Sequence, residues 1–342
     1  MAKLLKFEEA IKQTDGGGRH LLLGNGFSRA CRNDLFAYDA LFSKAKDELT
    51  DSARKAFDIL ETTDFESVMR ALKQTVELLR VYAPRNKKLS RQLAEDADKL
   101  RDVLAKVIAH SHPERPNQIE DEEFVCCRKF LSHFDNIYTL NYDLLLYWAL
   151  MNDEVDDLNL KGNDGFRQPE DGPEDYVVWD PGDVGSQNVF YLHGALHIFD
   201  AGAEVQKYTW CNTGIALIDQ IREALGQNRY PIYVAEGTSE SKMNCIQHSA
   251  FLSRAYRSFV RVSKPLFIFG HSLSDNDEHI LRLIEHGKIK TVYISIFGNQ
   301  RSNDNKKIIA RAERLKTARE NSGRRNNLTV YFFDAASAEV WG

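Results

Sequence analysis

The amino-acid sequence predicts an α/β protein in which helices flank a Rossmann-like parallel sheet and also form an inserted subdomain. Short apolar runs alternate with helical segments along most of the 342 residues, a pattern typical of parallel sheets covered by helices. Residues 266–269 are apolar at every position, as expected for a strand buried on both faces. At roughly 150 residues per domain, the length fits two domains or one domain with a large insert.

The first half of the chain contains two predicted strands separated by a helical block. The first strand covers residues 19–23 and leads into a glycine turn and a helical run over residues 28–32. Apolar residues at spacings of three and four predict helices from about residue 38 to residue 112. A further helix is predicted over residues 119–133, and it leads to the second strand at residues 136–140.

The position of the helical block defines the predicted domain organisation. We expect one α/β domain formed by residues 1–37 and 134–342, interrupted by a helical subdomain at residues 38–133. After Met151 the chain is acidic and rich in turn-forming residues, which predicts a long loop region with a short hairpin at residues 176–179. Further strands, mostly separated by helical segments, are predicted at residues 189–192, 231–235, 265–269, 291–297 and 328–333.

The charge and composition argue against several classes of function. With 45 basic and 50 acidic residues the net charge is −5, so the chain as a whole is not suited to nucleic acid or to an anionic membrane. No apolar stretch approaches the ~20 residues of a membrane-spanning helix. Residues 1–9 lack the apolar core of a signal peptide, so we expect a cytoplasmic protein. The basic segment 301–325 fits the solvated face of an amphipathic helix or, alternatively, a contact for a partner or nucleic acid.

The cysteines and histidines do not predict a metal site. The five cysteines contain no C-x-x-C pair, which argues against a structural zinc site and fits reduced, mostly buried thiols. They are Cys31, Cys126, Cys127, Cys211 and Cys245. His197 and His248 have no carboxylate at a suitable spacing, so we expect no metal.

Polar or glycine-containing segments follow four of the predicted strands. They are residues 24–28, 139–143, 193–197 and 270–277. In an open α/β sheet the carboxyl ends of the strands border the ligand crevice, and a glycine turn before a helix lets the backbone approach a pyrophosphate. Each segment also has a structural explanation, as a plain β–α turn, as a set of helix caps or as a buried structural histidine.

The individual side chains suggest chemistry at this edge. Thr139, Asn141 and Asp143 alternate after a strand, where they could line the crevice or cap the next helix. His193 stands between an apolar strand and a glycine, and a neutral imidazole is a natural general base near pH 7. Ser274 or Asp275 is predicted to cap the helix that follows the last glycine turn.

In their order and spacing, the four segments resemble the sirtuins. The turn G-N-G-F-S resembles the sirtuin G-A-G-x-S, T-L-N-Y-D resembles T-Q-N-x-D, Leu192-His193-Gly194 resembles the catalytic histidine–glycine, and F-G-H-S-L resembles the late G-x-S-L loop. The match is closer to the bacterial sirtuin-like branch of antiphage defence, which Thr63-Asp64-Phe65-Glu66 also resembles. This chain has Asn25 where alanine is usual, and it lacks the four-cysteine zinc ribbon of the deacylases.

The resemblance implies an NAD+ glycohydrolase that releases nicotinamide and ADP-ribose, because the zinc module that helps form the acyl-peptide cleft is missing. Asn141 and His193 would be catalytic, positioning the ribose or the water and acting as a base. The residues implied to bind NAD+ are Gly24, Asn25, Gly26, Phe27, Ser28, Thr139, Asp143, Gly270 and Ser272. Among these, the first turn would cradle the pyrophosphate and Phe27 would shield the nicotinamide ribose. Asp143 would orient the loop or the nicotinamide amide, and Gly270 with Ser272 would meet the adenosine ribose.

Other activities remain open from the sequence. An ADP-ribosyl cyclase differs only in the nucleophile that captures the ribosyl cation, a deacylase would need a peptide cleft, and a non-catalytic nucleotide-sensing assembly subunit would bind NAD+ without turnover. The resemblance further implies an antiviral-defence effector that depletes NAD+. It also implies a homo-oligomer and activation by a HerA-type ATPase or another defence partner. From the charge and the hydropathy we expect no membrane contact and only indirect contact with nucleic acid.

Overall fold

The computed structural model describes residues 3–160, 162–170, 172, 174–182, 185–209, 213–235, 238–323 and 327–342. Within these ranges the protein has the predicted α/β fold, with a seven-stranded parallel sheet and a separate, smaller antiparallel sheet. The strands are β1 (Leu4–Leu5), β2 (His20–Leu23), β3 (Asn136–Thr139), β4 (Phe166–Arg167), β5 (Tyr176–Trp179), β6 (Val189–Tyr191), β7 (Gly194–Asp200), β8 (Val205–Tyr208), β9 (Pro231–Tyr233), β10 (Leu266–Phe269), β11 (Thr291–Ile296) and β12 (Thr329–Asp334).

Helices surround the parallel sheet. They are α1 (Phe7–Lys12), α2 (Gly26–Cys31), α3 (Asn33–Phe36), α4 (Tyr38–Ala45), α5 (Asp51–Ile59), α6 (Phe65–Tyr82), α7 (Lys87–Ser111), α8 (Asp121–Leu131), α9 (Leu145–Met151), α10 (Leu217–Gly226), α11 (Ser239–His248), α12 (Ala250–Val260), α13 (Glu278–His286) and α14 (Asn303–Asn321). Short 3₁₀ helices lie at Pro116–Gln118, Asp153–Val155, Asp275–Asp277 and Ala336–Ala338. None of the helices in the described ranges combines the length and the apolar character needed to cross a membrane.

The parallel sheet has the strand order β1-β12-β11-β10-β2-β3-β6, and every neighbouring pair in it is parallel. Its central strands are buried on both faces, as the apolar run at residues 266–269 predicts. Leu21 and Leu23 of β2 belong to one apolar cluster, and Leu22 between them belongs to the cluster on the other face. This alternation follows from the two-residue repeat of side chains along a strand.

The antiparallel sheet has the strand order β4-β5-β8-β7-β9, and the sequence does not predict it as a unit. The run at residues 231–235 was expected to extend the parallel sheet, and that expectation is wrong because β9 pairs with β7 in the antiparallel sheet. Residues 176–179 form β5, which pairs with β4 and with β8 rather than forming an isolated hairpin.

The helical block lies between β2 and β3 in the chain. Its two long helices, α6 and α7, pack against each other, and α4 also packs on α7. Asp64 begins α6 as its N-cap, with its carboxylate accepting a hydrogen bond from the Glu66 amide at 3.0 Å. The resulting α6 places the side chain of Glu66 close to the polar edge of the parallel sheet.

The basic segment near the C-terminus forms α14, which packs on the sheet through Ala312 and Leu315. Arg319 is 1% exposed, and its guanidinium donates to carbonyl groups at the C-terminal end of α13 and just beyond it, including Ile289 at 3.3 Å. It therefore serves as a structural cap for that helix. Residues 324–325 of the segment lie outside the described residues, as does Cys211 among the cysteines. Cys31, Cys126 and Cys127 are free thiols.

Candidate active site

The strand order places a topological switch point between β2 and β10. From β2 the chain moves in one direction through β3 to β6, whereas from β10 it moves in the other direction through β11 to β12. In open α/β sheets, ligands bind in the crevice outside the carboxyl ends of the strands at such a point. The two glycine turns that follow β2 and β10 therefore border the expected crevice.

These two glycine turns touch each other through their backbones. The Gly26 amide donates to the Gly270 carbonyl at 2.7 Å, and the Phe27 amide donates to the Gly24 carbonyl at 2.9 Å. A Cβ on Gly26 would lie 2.5 Å from the Gly270 Cα, and Gly270 itself has a φ of +70°. Contact between the turns thus requires glycine here. The amides of Gly26 and Phe27 are already used within the protein, which differs from the pyrophosphate cradle expected at this turn.

Phe27 and Asn25 also have structural contacts. Phe27 is 0% exposed, and its ring packs on Trp341 with 5.2 Å between centroids. The Trp341 indole N–H donates to the Phe27 carbonyl at 3.0 Å. Asn25 is half-buried and its side-chain amide donates to the Phe36 carbonyl at 3.1 Å. Phe27 is therefore a core side chain, and this position does not fit the expected role of shielding a ribose.

Ser28, Asn141 and Asp143 form one buried hydrogen-bonded chain. The Asn141 Nδ2 donates to Ser28 Oγ at 2.9 Å, and Ser28 Oγ donates to Asp143 Oδ2. The other carboxylate oxygen of Asp143 accepts from the Leu145 amide at 2.9 Å, which holds the start of α9. Thr139 Oγ1 accepts from the Asn141 amide at 3.0 Å. The structure thus brings four predicted site residues together, while Thr139 and Asp143 also serve as turn and helix-start acceptors.

Burial affects the protonation of Asp143 in this hydrogen-bonded chain. Asp143 is 6% exposed and Asn141 is 9% exposed. Burial raises the pKa of the Asp143 carboxyl above its usual value, and the hydrogen bond from Ser28 opposes that rise. The Asn141 Oδ1 has no hydrogen-bond partner within the described part of the chain, so this carbonyl remains available as an acceptor.

His193 lies at the same edge, between β6 and β7. The Leu192 amide before it donates to the Thr139 carbonyl at 2.9 Å, which ties this segment to the end of β3. The ring of Tyr142 faces the ring of His193 with 6.5 Å between centroids. Gly194 has a φ of +76°, and a Cβ there would lie 1.9 Å from the Ile232 carbonyl oxygen. The glycine after His193 is therefore required by the close approach of β9.

His193 forms a hydrogen bond with a second buried histidine. Its Nε2 lies 3.0 Å from Nε2 of His279, and the two rings are stacked with 5.1 Å between centroids. His279 Nδ1 lies 3.3 Å from Ser239 Oγ. Burial lowers the pKa of His193 well below its usual value and lowers the pKa of His279 to about 4. Both imidazoles are therefore neutral near pH 7.

Asp277 lies beside the histidine pair, and its carboxylate accepts hydrogen bonds from two other side chains. Its Oδ1 accepts from Lys242 Nζ at 2.9 Å, and its Oδ2 accepts from His271 Nε2 at 2.9 Å. Burial alone would raise the pKa of Asp277, but the Lys242 ammonium and the His271 hydrogen bond hold it well below the usual value. The Oδ1 of Asp277 is 3.9 Å from Nε2 of His193. A fixed negative charge thus faces the candidate base.

Lys242 connects the helical block to this edge. It is 1% exposed, and its ammonium lies between Asp277 and Glu66, with 2.7 Å to Glu66 Oε2. The other carboxylate oxygen of Glu66 accepts from the Tyr142 hydroxyl at 2.8 Å. Burial alone would lower the pKa of Lys242, but the two carboxylates raise it above its usual value. Lys242 is therefore a charged structural link and not a nucleophile.

His193, Asp277 and His279 offer ligand atoms that all lie within 4.8 Å of one another. Both oxygens of Asp277 are already hydrogen-bonded, and the Lys242 ammonium 2.9 Å away would repel a cation. The chemistry of the cluster therefore fits a hydrogen-bonded network better than a metal centre. Three residues of the surrounding network carry no local sequence signal. They are Ser239 and Lys242 in α11 and His279 in α13, which are ordinary polar positions of these helices.

The last predicted residues border the crevice from the β10 side. Gly270 donates its amide to Ser295 Oγ at 2.9 Å, and Ser272 is exposed to solvent. Ser274 Oγ accepts from the Asn276 amide at 3.2 Å at the start of the 3₁₀ helix before α13, in agreement with the predicted cap.

The fold and this edge define an α/β protein with a buried polar site at the switch point of its parallel sheet. Residues 21–341 match the family described as a domain of unknown function, DUF4917, and the chain belongs to that family. No curated protein matches the sequence.

Proposed function

We propose that the protein is an NAD+ glycohydrolase, which cleaves NAD+ to nicotinamide and ADP-ribose. The observation that carries the proposal is that Ser28 and Asn141 are hydrogen-bonded to each other after the adjacent strands β2 and β3, while His193 follows β6, the next strand along the same carboxyl edge. The ring of Tyr142, the residue after Asn141, faces the His193 ring, which supports assigning Asn141 and His193 to one site. The resemblance of these segments to sirtuin-like enzymes supports NAD+ as the substrate.

The reaction requires little acid–base chemistry on the leaving group. When the bond between ribose C1′ and the nicotinamide nitrogen breaks, its electron pair stays with the nitrogen, so nicotinamide leaves as a neutral molecule. Positive charge develops on the ribose, and a water oxygen forms the new bond to C1′ while losing one proton. The protein must therefore orient the ribose, limit the access of water and accept that proton.

Two of these tasks, the orientation of the ribose and the acceptance of the proton, are assigned to individual site residues. Asn141 is held by Ser28 through its Nδ2, which leaves its Oδ1 to accept from a ribose hydroxyl or from the attacking water. His193 is neutral and accepts the proton from the water or from a ribose hydroxyl. Asp143 positions Ser28 and the start of α9 and takes no part in proton transfer. Exposed Ser272, beside Gly270, is assigned to the adenosine ribose.

A role in antiviral defence through depletion of NAD+ is supported by the same resemblance, as are a homo-oligomer and activation by a HerA-type ATPase or other partner. Cyclisation of ADP-ribose would use the same Asn141 and His193 geometry with a different nucleophile. The products therefore decide between the two reactions.

The test is chromatography of the products after the purified protein is incubated with NAD+ and, in a parallel sample, with NAD+ and an acetyl-lysine peptide. We expect nicotinamide and ADP-ribose in equal amounts, with or without the peptide. Cyclic ADP-ribose as the main product would establish a cyclase, and acetyl-ADP-ribose would establish a deacylase. Bound but unchanged NAD+ would establish a nucleotide-binding subunit, and each of these three results would overturn the proposal.

A further inference from the structure

The two nitrogen atoms of the His193 ring have different surroundings. Nε2 lies 3.0 Å from His279 Nε2, whereas Nδ1 has no hydrogen-bond partner among the residues that the structure describes. A neutral imidazole carries one hydrogen, and the partner of one nitrogen determines which nitrogen remains bare. His279 is thus placed to decide whether His193 Nδ1 is able to accept a proton.

Two proton arrangements are compatible with the distance between the histidines. In the first, His193 Nε2–H donates to His279, and His193 Nδ1 is a bare acceptor. In the second, His279 Nε2–H donates to His193, and His193 Nδ1 carries a hydrogen and cannot act as a base. The choice between them depends on the charges that surround the pair.

The position of the nearest carboxylate favours the first arrangement, and it does so against the Lys242 ammonium, whose positive charge lowers the pKa of His193. The Asp277 carboxylate lies 3.9 Å from His193 Nε2, and a negative charge stabilises a hydrogen on the nearest ring nitrogen. Lys242 and His271 keep that carboxylate ionised and fixed. His271 Nδ1 accepts from the Leu273 amide at 3.0 Å, so its hydrogen is on Nε2 and points to Asp277 rather than to His193.

The far side of His279 is compatible with the same arrangement. If His279 Nε2 accepts from His193, the hydrogen of His279 lies on Nδ1. That N–H then donates to Ser239 Oγ at 3.3 Å. The hydrogen-bonded chain therefore runs from His193 through His279 to Ser239, with each donor directed away from His193 Nδ1.

We propose that His279 is a positioning residue that holds His193 in the tautomer with a bare Nδ1, so that Nδ1 is the atom that accepts the proton during cleavage. The proposal rests on NAD+ cleavage at this site for its catalytic consequence, but the tautomer itself is independent of any substrate. When Nδ1 takes up the proton, His193 becomes an imidazolium. Asp277 and the neutral His279 stabilise that cation, as the acidic and orienting partners of a catalytic histidine do.

The tautomer is measured directly on the wild-type protein. Nitrogen-15 labelling of the histidines followed by NMR distinguishes a bare from a protonated ring nitrogen, and the spectrum of His193→Gln identifies the His193 resonances by their loss. We expect a bare Nδ1 and a protonated Nε2 at pH 7. A hydrogen on Nδ1 of His193 overturns the proposal, whether or not the protein cleaves NAD+.

The kinetic arm uses two substitutions of His279 and one matched control. His279→Leu removes the acceptor, and we expect kcat for nicotinamide release to fall ~10²-fold or more with KM nearly unchanged, because general-base catalysis contributes that much. His279→Gln keeps an acceptor oxygen, so its kcat should be at least about tenfold higher than that of His279→Leu. His286→Leu, at the exposed end of α13, should keep the wild-type rate.

The two arms separate failure of this proposal from failure of the proposed function. Wild-type kcat in a folded His279→Leu protein overturns the positioning role, even if NAD+ is cleaved. An inactive wild-type protein with a bare His193 Nδ1 overturns the glycohydrolase proposal and leaves the tautomer assignment standing.

Discussion

Asn141 Nδ2 donates to Ser28 Oγ across 2.9 Å, joining residues that are 113 positions apart in the chain. The contact connects the turn after β2 to the turn after β3. Because Ser28 also donates to Asp143, one hydroxyl group holds two buried polar side chains in place. The stability of this edge therefore depends on a serine that is 0% exposed.

Replacing that hydroxyl tests the connection. In Ser28→Ala the Asn141 amide and one oxygen of Asp143 lose their partner in a buried setting, which costs about 1–3 kcal/mol. Urea unfolding should show this loss in the free energy of unfolding. Ser43→Ala, where the hydroxyl is exposed and bonded only to its own helix, should change it by less than about 0.5 kcal/mol. Equal effects of the two substitutions would show that the Ser28 hydroxyl does not stabilise this edge of the sheet.

The contact between the two glycine turns predicts that glycine-to-alanine substitutions inside and outside the contact differ in their effect on stability. In Gly26→Ala the new Cβ would meet the backbone of Gly270 at 2.5 Å, and backbone atoms cannot yield as a flexible side chain does. We expect a loss of about 3 kcal/mol or more, within the range known for strongly disruptive substitutions. Gly226→Ala, at the end of α10 with open space around the added Cβ, should be neutral or stabilising by up to about 1 kcal/mol. Thermal unfolding of both variants checks the difference.

The buried ammonium of Lys242 predicts a large effect of removing one charge. Lys242→Met leaves Glu66 and Asp277 as two buried carboxylates without their shared cation, which costs about 3–5 kcal/mol. Lys264→Met removes the same charge from a pair with Asp135 in which each side chain is 52% exposed, and should cost less than about 1 kcal/mol. A Lys242→Met protein as stable as Lys264→Met would show that this link is not structural.

Buried neutral histidines predict acid sensitivity. Burial lowers the pKa of His112 and of His279 to about 4, and lowers the pKa of His193 and His197 well below 6.5. Between pH 6.5 and 4 the unfolded chain binds protons that the folded chain does not, so stability is present above pH 6.5 and falls as the pH decreases. The raised pKa of Asp143 acts in the opposite direction.

Each buried histidine lowers the free energy of unfolding by about 1.4 kcal/mol for each pH unit below 6.5. At pH 5 the loss is therefore about 2 kcal/mol per histidine. Urea unfolding at pH 7 and at pH 5 should therefore differ by several kcal/mol, with the lower stability at pH 5. His112→Gln should reduce the difference, while His248→Gln, an exposed histidine, should leave it unchanged. Equal stability at the two pH values would mean that these rings are protonated in the folded protein.

Much of the parallel sheet was predictable because its strands are apolar and bounded by turns. The runs at residues 19–23, 136–140 and 291–297 correspond to β2, β3 and β11. The antiparallel sheet was not predictable as a unit, because four of its five strands have only two to four residues each and lie apart in the chain. These strands are β4, β5, β8 and β9. Only the pairing of β9 with β7, a tertiary contact, reveals that the run at residues 231–235 leaves the parallel sheet.

The candidate site was predictable where residues follow strands, and not where they come from helices. Asn141 and His193 stand two residues after the ends of β3 and β6, so the carboxyl-edge rule finds them. Lys242 lies within α11 and His279 within α13, where local pattern gives no reason to expect burial. Phe27 follows a glycine turn, as a ligand-facing residue would, but Trp341 from the far end of the chain covers it.

We propose that Asn141 and His193 are the residues with which the protein cleaves the glycosidic bond of NAD+. This proposal is tested most directly by the rate of nicotinamide release from NAD+ by the wild-type protein, Asn141→Ala, His193→Ala and the exposed control Asn244→Ala. We expect release by the wild type and by Asn244→Ala, and a loss of ~10²-fold or more in the other two variants with the fold retained. Release at the wild-type rate by a folded Asn141→Ala or His193→Ala protein would contradict it.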